Sequence, residues 1–99
     1  LTADQDRQRR EDFDCACAYC GQPDLVSSKK PPMDHFLPLS FGNALTLGNA
    51  VPACHACNTS KIDADPWIWY SRQSFFSQER WDRMLMVLGK EDYRQMTLI

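Results

Sequence analysis

The chain has 99 residues, of which 43% are hydrophobic and 11% aromatic, so it has the apolar content of a folded domain and not of a disordered tail. A domain of this length buries a small core, and a bound metal, a disulfide or a partner often adds to its stability. The formal net charge of −2 excludes a strongly basic protein whose whole surface binds phosphates, so nucleic-acid binding must be local or assisted by a cation.

The sequence carries no signal for a membrane or for export. No apolar run reaches the roughly 18 residues needed to cross a bilayer, and the charged segment 1–14 lacks the apolar stretch of a signal peptide. We therefore expect a cytoplasmic protein with no membrane partner. In that compartment the five cysteines are better interpreted as thiols available to a metal than as a disulfide framework.

Three segments of a single domain, 1–99, follow one another along the chain. Residues 1–14 are polar and charged, and they predict a solvated N-terminal helix that frays at the surface. Residues 15–63 contain all the cysteines and both histidines, and their frequent Gly and Pro predict short strands and loops. Residues 64–99 predict C-terminal helices.

The middle segment predicts two strands and a helix. Residues 33–37 suit a short strand and residues 49–53 suit a second, in which Pro52 favours an edge position. A long loop joins the two strands. Residues 54–61 suit a short helix.

Capping signals mark two helices in the last segment. Asp65-Pro66 predicts a helix start with proline at the first helical position. A second helix is predicted from Ser77, its N-cap, to Gly89, its C-terminal stop. The apolar residues of this helix recur at i, i+3, i+4 and i+7 and form one stripe: Trp81, Met84, Leu85 and Leu88. Such a stripe packs into the core or forms the face of a homodimer.

Two C-x-x-C pairs predict a structural zinc site. Cys17 and Cys20 form the first pair, and Cys54 and Cys57 the second. Four thiolates are the ligand set of a closed tetrahedral zinc site, which contributes directly to folding. Residues 21–53 separate the pairs, which is longer than the usual ribbon spacing, so a substantial element is inserted between them. A redox dithiol or unligated cysteines are the alternatives, and Cys15 is left out of the site.

The inserted segment and the residue after the second pair hold a set of polar side chains suited to phosphodiester hydrolysis. Asp34 offers a carboxylate oxygen and Asn58 an amide oxygen to a hard cation. His35 carries an imidazole, which can take a proton from water. On the predicted helix, Asn58 points away from the two zinc ligands, and Lys61 lies on the same side as Asn58. Lys61 then either meets a phosphate or is an ordinary exposed lysine. Strand alternation sends Asp34 and His35 to opposite faces, so a strand end or a bulge must bring them together.

Three strings carry a family resemblance: C-A-Y-C-G, then M-D-H-F-L-P-L-S-F-G-N, then G-N-A-V-P-A-C-H-A-C-N-T-S-K. Together they resemble the HNH endonuclease family, which has the ββα-metal fold, over roughly residues 17–61. The resemblance is specific, because the cysteine pairs, the Asp-His, the Asn and the Cys-Asn-x-x-Lys occur in the order of the family.

The resemblance implies a role for each polar residue of the site. His35 would be the general base, and Asp34 and Asn58 would be ligands of a catalytic Mg²⁺ or Mn²⁺. Asn49 would hydrogen-bond across the hairpin and hold the histidine in place, so the chain resembles an H-N-N variant. Three residues are expected to contact nucleic acid: Lys30, Ser40 and Lys61.

The sequence thus predicts an α+β fold: a ββα-metal finger with a four-cysteine zinc site, flanked by N-terminal and C-terminal helices. The predicted function is a metal-dependent endonuclease that cuts DNA, with double-stranded DNA as partner. The alternative is a non-catalytic zinc module that binds nucleic acid or a protein through its basic residues Lys29, Lys30, Lys61 and Arg72 and its aromatic helices. A thiol redox protein is a more distant alternative, because it needs one reactive pair and not two.

Overall fold

A two-stranded hairpin lies at the centre of the computed structural model, which describes residues 1–23 and 32–93. Strand β1 (Met33–His35) pairs antiparallel with strand β2 (Ala50–Pro52), with Asp34 opposite Val51. Both strands lie within the predicted ranges 33–37 and 49–53 but are shorter. Beyond the His35 end of β1, the side chain of Asn49 bonds to the backbone of Leu37.

A short helix follows the hairpin, in the order β1, β2, helix that a ββα finger requires. Helix α2 (His55–Lys61) begins at its N-cap Cys54, whose sulfur accepts a hydrogen bond from the Cys57 backbone N–H. The loop between the strands contains one 3₁₀ turn, Leu39–Phe41, which ends at Gly42 with a φ of 85°. These elements and the helices on either side confirm the predicted α+β class.

Two helices at the C-terminal side begin at the predicted N-caps, and the second of them ends at the predicted glycine. Helix α3 (Pro66–Tyr70) has Asp65 as N-cap, whose carboxylate accepts from two backbone N–H groups. Helix α4 (Gln78–Leu88) has Ser77 as N-cap and ends at Gly89, whose φ of 70° favours glycine. Among the described residues, no helix combines the length and apolar content needed to cross a bilayer.

The apolar stripe of α4 packs inside the chain. Its four residues are 0 to 6% exposed and contribute to the core: Trp81, Met84, Leu85 and Leu88. Of the two predicted roles of this stripe, packing into the core is confirmed, and side chains already buried within one copy are not available as the face of a homodimer.

An aromatic cluster joins the hairpin to the C-terminal helices. The Phe36 ring, next to β1, lies 5.5 Å from the Trp81 ring of α4, and the Tyr19 ring lies 5.1 Å from Trp69 of α3. Phe36, Tyr19 and Trp81 are fully buried. Contacts of this kind favour edge-to-face and tilted geometries and fix the relative positions of the elements that carry the site.

The N-terminal helix is anchored to the hairpin by a buried arginine. Helix α1 (Ala3–Glu11) starts with a capping box between Thr2 and Gln5. Arg9, which is 4% exposed, donates hydrogen bonds to the backbone carbonyls of Leu47 and Ala50 and pairs with Asp12. The predicted N-terminal helix is therefore present, and a buried arginine, which the expectation of a solvated helix did not include, ties α1 to the start of β2.

Candidate metal centre and active site

The two C-x-x-C pairs come together in one cluster, as their spacing predicts. The ligand atoms of Cys17, Cys20, Cys54 and Cys57 all lie within 4.8 Å of one another. The second pair sits at the N-terminus of α2, where Cys54 is the N-cap and Cys57 lies in the first turn. Such a set of four sulfurs can hold a metal ion.

Backbone hydrogen bonds shape the first pair into a turn that faces the second. The Gly21 N–H donates to the Cys17 carbonyl, and the φ of 78° at Gly21 suits glycine. The Ala18 N–H donates to the carbonyl of Pro52 at 2.8 Å, which ties this turn to the end of β2. The edge of the hairpin therefore sets the position of the cysteine turn, which we call the zinc knuckle (residues 17–20).

The electrostatics of the four sulfurs favour a bound cation. A hydrogen bond from Cys57 lowers the pKa of Cys17 to about 5, whereas burial raises the pKa of Cys20 to about 11. The hydrogen bond to Cys17 raises the pKa of Cys57 as well. Burial and the hydrogen bond to Cys17 therefore oppose the ionisation of Cys20 and Cys57 beside a Cys17 thiolate. Four thiolates require a cation among them, and a soft sulfur set suits zinc.

The remaining cysteine and the second histidine stay outside the cluster. Cys15 is exposed, in agreement with the prediction that it is not a ligand. His55, between the ligands of the second pair, is exposed as well.

Asp34 is buried and faces α2. Its side chain is 5% exposed, and its Oδ2 accepts a hydrogen bond from the Tyr19 hydroxyl at 2.8 Å. The ammonium group of Lys61, the last residue of α2, lies 3.1 Å from the same oxygen. Burial and the Asp34 carboxylate raise the pKa of Tyr19 well above its ordinary value, so its hydroxyl is a hydrogen-bond donor.

His35 is the last residue of β1, and its exposure differs from that of Asp34. The histidine is half-buried between a buried Asp34 and a buried Phe36, which is the alternation that the sequence predicts. Lys61 Nζ donates to the His35 backbone carbonyl at 2.9 Å. The lysine therefore bonds to both residues at the end of the strand.

Asn49 fixes the loop that follows the histidine. Its Oδ1 accepts from the Leu37 N–H at 2.7 Å, and its Nδ2 donates to the carbonyls of Leu37 and Ala44. Its backbone carbonyl accepts from the Phe36 N–H at 2.8 Å. The residue is 5% exposed, so these bonds are protected from water. Asn49 thus lies across the hairpin from the residues that come directly after His35.

The other predicted residues lie in different surroundings. Asn58 is half-buried on α2, three positions before Lys61 and so on the same side of the helix. Ser40 is exposed in the 3₁₀ turn, whereas the predicted contact Lys30 lies outside the described residues. Lys61 is 1% exposed, so its nitrogen reaches Asp34 and not solvent, contrary to the expectation that it meets a phosphate at the surface.

Tyr19 was missed by reasoning from the sequence. It lies within the zinc knuckle, where it looks like a spacer between ligands, yet its hydroxyl contacts the predicted metal ligand. A signal exists in hindsight: a tyrosine that is fully buried needs a partner for its hydroxyl.

Comparison with known proteins agrees with this geometry. Residues 17–63 match the family model described as HNH endonuclease. This segment belongs to the HNH endonuclease family. The HNH segment contains the zinc knuckle, both strands and α2.

A curated relative points the same way. The chain is 41% identical over 61 residues to the CRISPR-associated endonuclease Cas9 of Corynebacterium diphtheriae. The match covers 61% of this chain but only 5% of that protein.

Proposed function

We propose that this chain is a metal-dependent endonuclease that hydrolyses DNA phosphodiester bonds, with His35 as general base and a divalent ion held by Asp34 and Asn58. The contact between Lys61 and Asp34 carries the proposal. It brings the Asp34 carboxylate against the side of α2 that also bears Asn58. Asp34 in turn comes directly before His35 in β1. A carboxylate and an amide oxygen suit Mg²⁺ or Mn²⁺, with water and phosphate at the other positions.

The proposed reaction is a single in-line displacement at phosphorus. His35 accepts a proton from a water molecule, whose oxygen forms a bond to phosphorus as the bond from phosphorus to the 3′ oxygen breaks. The leaving 3′ oxygen takes a proton from solvent, so the products carry a 5′-phosphate and a 3′-hydroxyl. When bound, the divalent ion supplies Lewis-acid stabilisation of the negative charge on the phosphate and the leaving oxygen. Asn49 keeps the residues after the histidine fixed and so limits its position.

The four-cysteine cluster serves the fold in this proposal. A zinc ion with four thiolate ligands has no open position for water or substrate. Its effect on catalysis is indirect, because α2 begins at the cluster and carries Asn58.

Double-stranded DNA is the proposed partner, and its binding is expected to be local. With a net charge of −2, the chain offers few phosphate contacts, so the exposed Ser40 and the predicted contact Lys30 would act with the metal ion. One active site cuts one strand, so a double-strand break requires two encounters or a homodimer. A dimer through the C-terminal helices would have to use residues other than the buried stripe. We propose a cytoplasmic location, because the cysteines are free thiols.

The alternative is a non-catalytic zinc module that binds nucleic acid or a protein. It would keep the cysteine cluster and need none of the three site residues at the end of β1 and on α2. Their presence beside the cluster favours the enzyme.

The test is conversion of supercoiled plasmid by the zinc-loaded protein with Mg²⁺ or Mn²⁺. We expect His35→Ala to abolish the conversion and leave zinc content and thermal unfolding unchanged. His55→Ala is the matched control, because this second histidine is exposed in the second cysteine pair and is expected to remain active. An active His35→Ala protein would refute the assignment of the base. No cleavage of plasmid, single-stranded DNA or RNA by the unmodified chain would favour the binding module.

A further inference from the structure

The Tyr19 hydroxyl connects the zinc knuckle to the proposed metal ligand. We propose that Tyr19 is a positioning residue for the reaction: its hydroxyl holds the Asp34 carboxylate in the orientation that binds the catalytic ion, and so makes that orientation depend on the zinc site. This inference rests on the proposed function, and it concerns a residue that is neither the predicted base nor a predicted metal ligand.

Both donors that reach Asp34 act on the same carboxylate oxygen. Within residues 1–23 and 32–93, the contacts to the side chain come from Tyr19 at 2.8 Å and Lys61 at 3.1 Å, and both are made to Oδ2. Two donors on one oxygen restrict rotation of the carboxylate, and neither of them uses Oδ1. Hydrogen bonds from an outer shell commonly orient ligating carboxylates in this way.

The hydroxyl is itself held in a fixed position. Tyr19 is fully buried, and its ring packs against Trp69 at 5.1 Å and Tyr70 at 5.5 Å between centroids. Its backbone carbonyl accepts a hydrogen bond from the Tyr70 hydroxyl. The cysteines on either side, Cys17 and Cys20, belong to the metal cluster. Ring packing, backbone and cluster thus determine where the Tyr19 oxygen lies.

The two donors have different roles. Lys61 supplies a positive charge that compensates a buried carboxylate, and it also bonds to the His35 carbonyl. Tyr19 supplies no charge, and within the described part of the chain its hydroxyl donates to Asp34. Removal of the hydroxyl therefore perturbs the orientation of Asp34 without leaving an uncompensated charge.

The experiment compares Tyr19→Phe with Tyr93→Phe, both as zinc-loaded proteins. Tyr93 is the matched control, since its hydroxyl donates to Asp65 at 2.7 Å and does not contact the site. Binding of Mn²⁺ is measured by electron paramagnetic resonance, together with zinc content, thermal unfolding and the Mn²⁺ dependence of plasmid cleavage.

We expect Tyr19→Phe to bind Mn²⁺ about 10- to 100-fold more weakly, as for other losses of an outer-shell partner, with one zinc per chain retained. Cleavage should require more Mn²⁺ and recover at saturation, and Tyr93→Phe should behave as the unmodified chain. Equal Mn²⁺ affinity in Tyr19→Phe and the unmodified chain would overturn the inference and leave the proposed nuclease intact. Loss of zinc or of the thermal transition in Tyr19→Phe would also overturn it, because the hydroxyl would then serve the fold. Failure of the unmodified chain to bind Mn²⁺ or cut DNA would instead refute the proposed function.

Discussion

Loss of the zinc site should unfold this domain, and Cys57→Ser is the sharpest perturbation. Cys57 is 4% exposed, lies within 4.8 Å of the other three ligand atoms and sits in the first turn of α2. A serine cannot replace a thiolate ligand. A structural zinc site contributes roughly 10 to 16 kcal/mol in small domains, whereas whole domains are stable by roughly 5 to 15 kcal/mol. The free energy that the bound metal contributes is therefore as large as the entire free energy of unfolding.

The assay is thermal unfolding followed by circular dichroism and tryptophan fluorescence, with zinc content measured on the same samples. We expect Cys57→Ser to contain no zinc and to show no cooperative transition. Cys15→Ser is the matched control, because Cys15 is exposed and outside the cluster, and it should keep both zinc and stability. The same loss should follow when a chelator strips the unmodified chain. A zinc-free protein that still unfolds cooperatively would refute the reasoning that the metal holds this fold together.

Three further predictions test the contacts that support the site. Asn49→Ala should lower the free energy of unfolding by roughly 2 to 4 kcal/mol in urea titrations, because it removes three hydrogen bonds from a buried side chain. Asn43→Ala removes one hydrogen bond and should lower the free energy of unfolding by less. Arg9→Met should lower the free energy of unfolding by roughly 2 to 4 kcal/mol in the same assay, because two backbone carbonyls lose their donor. Arg7→Met, at an exposed position, should change it by less than about 0.5 kcal/mol. Equal effects of the two substitutions would contradict the role of Arg9 as a buried anchor. The free energy of unfolding should fall as the pH rises above about 10. Burial raises the pKa of Tyr70 and of Tyr93, so only the unfolded chain ionises these tyrosines readily. Tyrosinate absorbance that rises before the chain unfolds would contradict this prediction.

Local signals predicted much of the fold. The caps at Asp65, Ser77 and Gly89 lie within one turn of the helices they bound, so short-range chemistry determines them. The four-cysteine cluster was predictable as well, because two C-x-x-C pairs specify a ligand set whatever the path of the chain between them.

Contacts between distant residues could not be predicted. Arg9 bonds to carbonyls 38 and 41 residues away, and nothing in the sequence distinguishes it from the exposed Arg7. Lys61 looked like a surface lysine, since lysines are seldom fully buried, and only the tertiary fold brings it to Asp34. The same holds for Tyr19, whose partner Asp34 lies 15 residues further along the chain, within the inserted segment.

The shortness of the central elements bears on how the chain reaches its native state. Each strand has three residues and α2 has seven, so neither the hairpin nor the helix would persist alone in water. Metal capture, strand pairing and helix formation must then occur in one cooperative step, together with packing against α3 and α4. A partly folded chain would hold no arrangement of base and ligands, and nuclease activity would arise only when folding is complete.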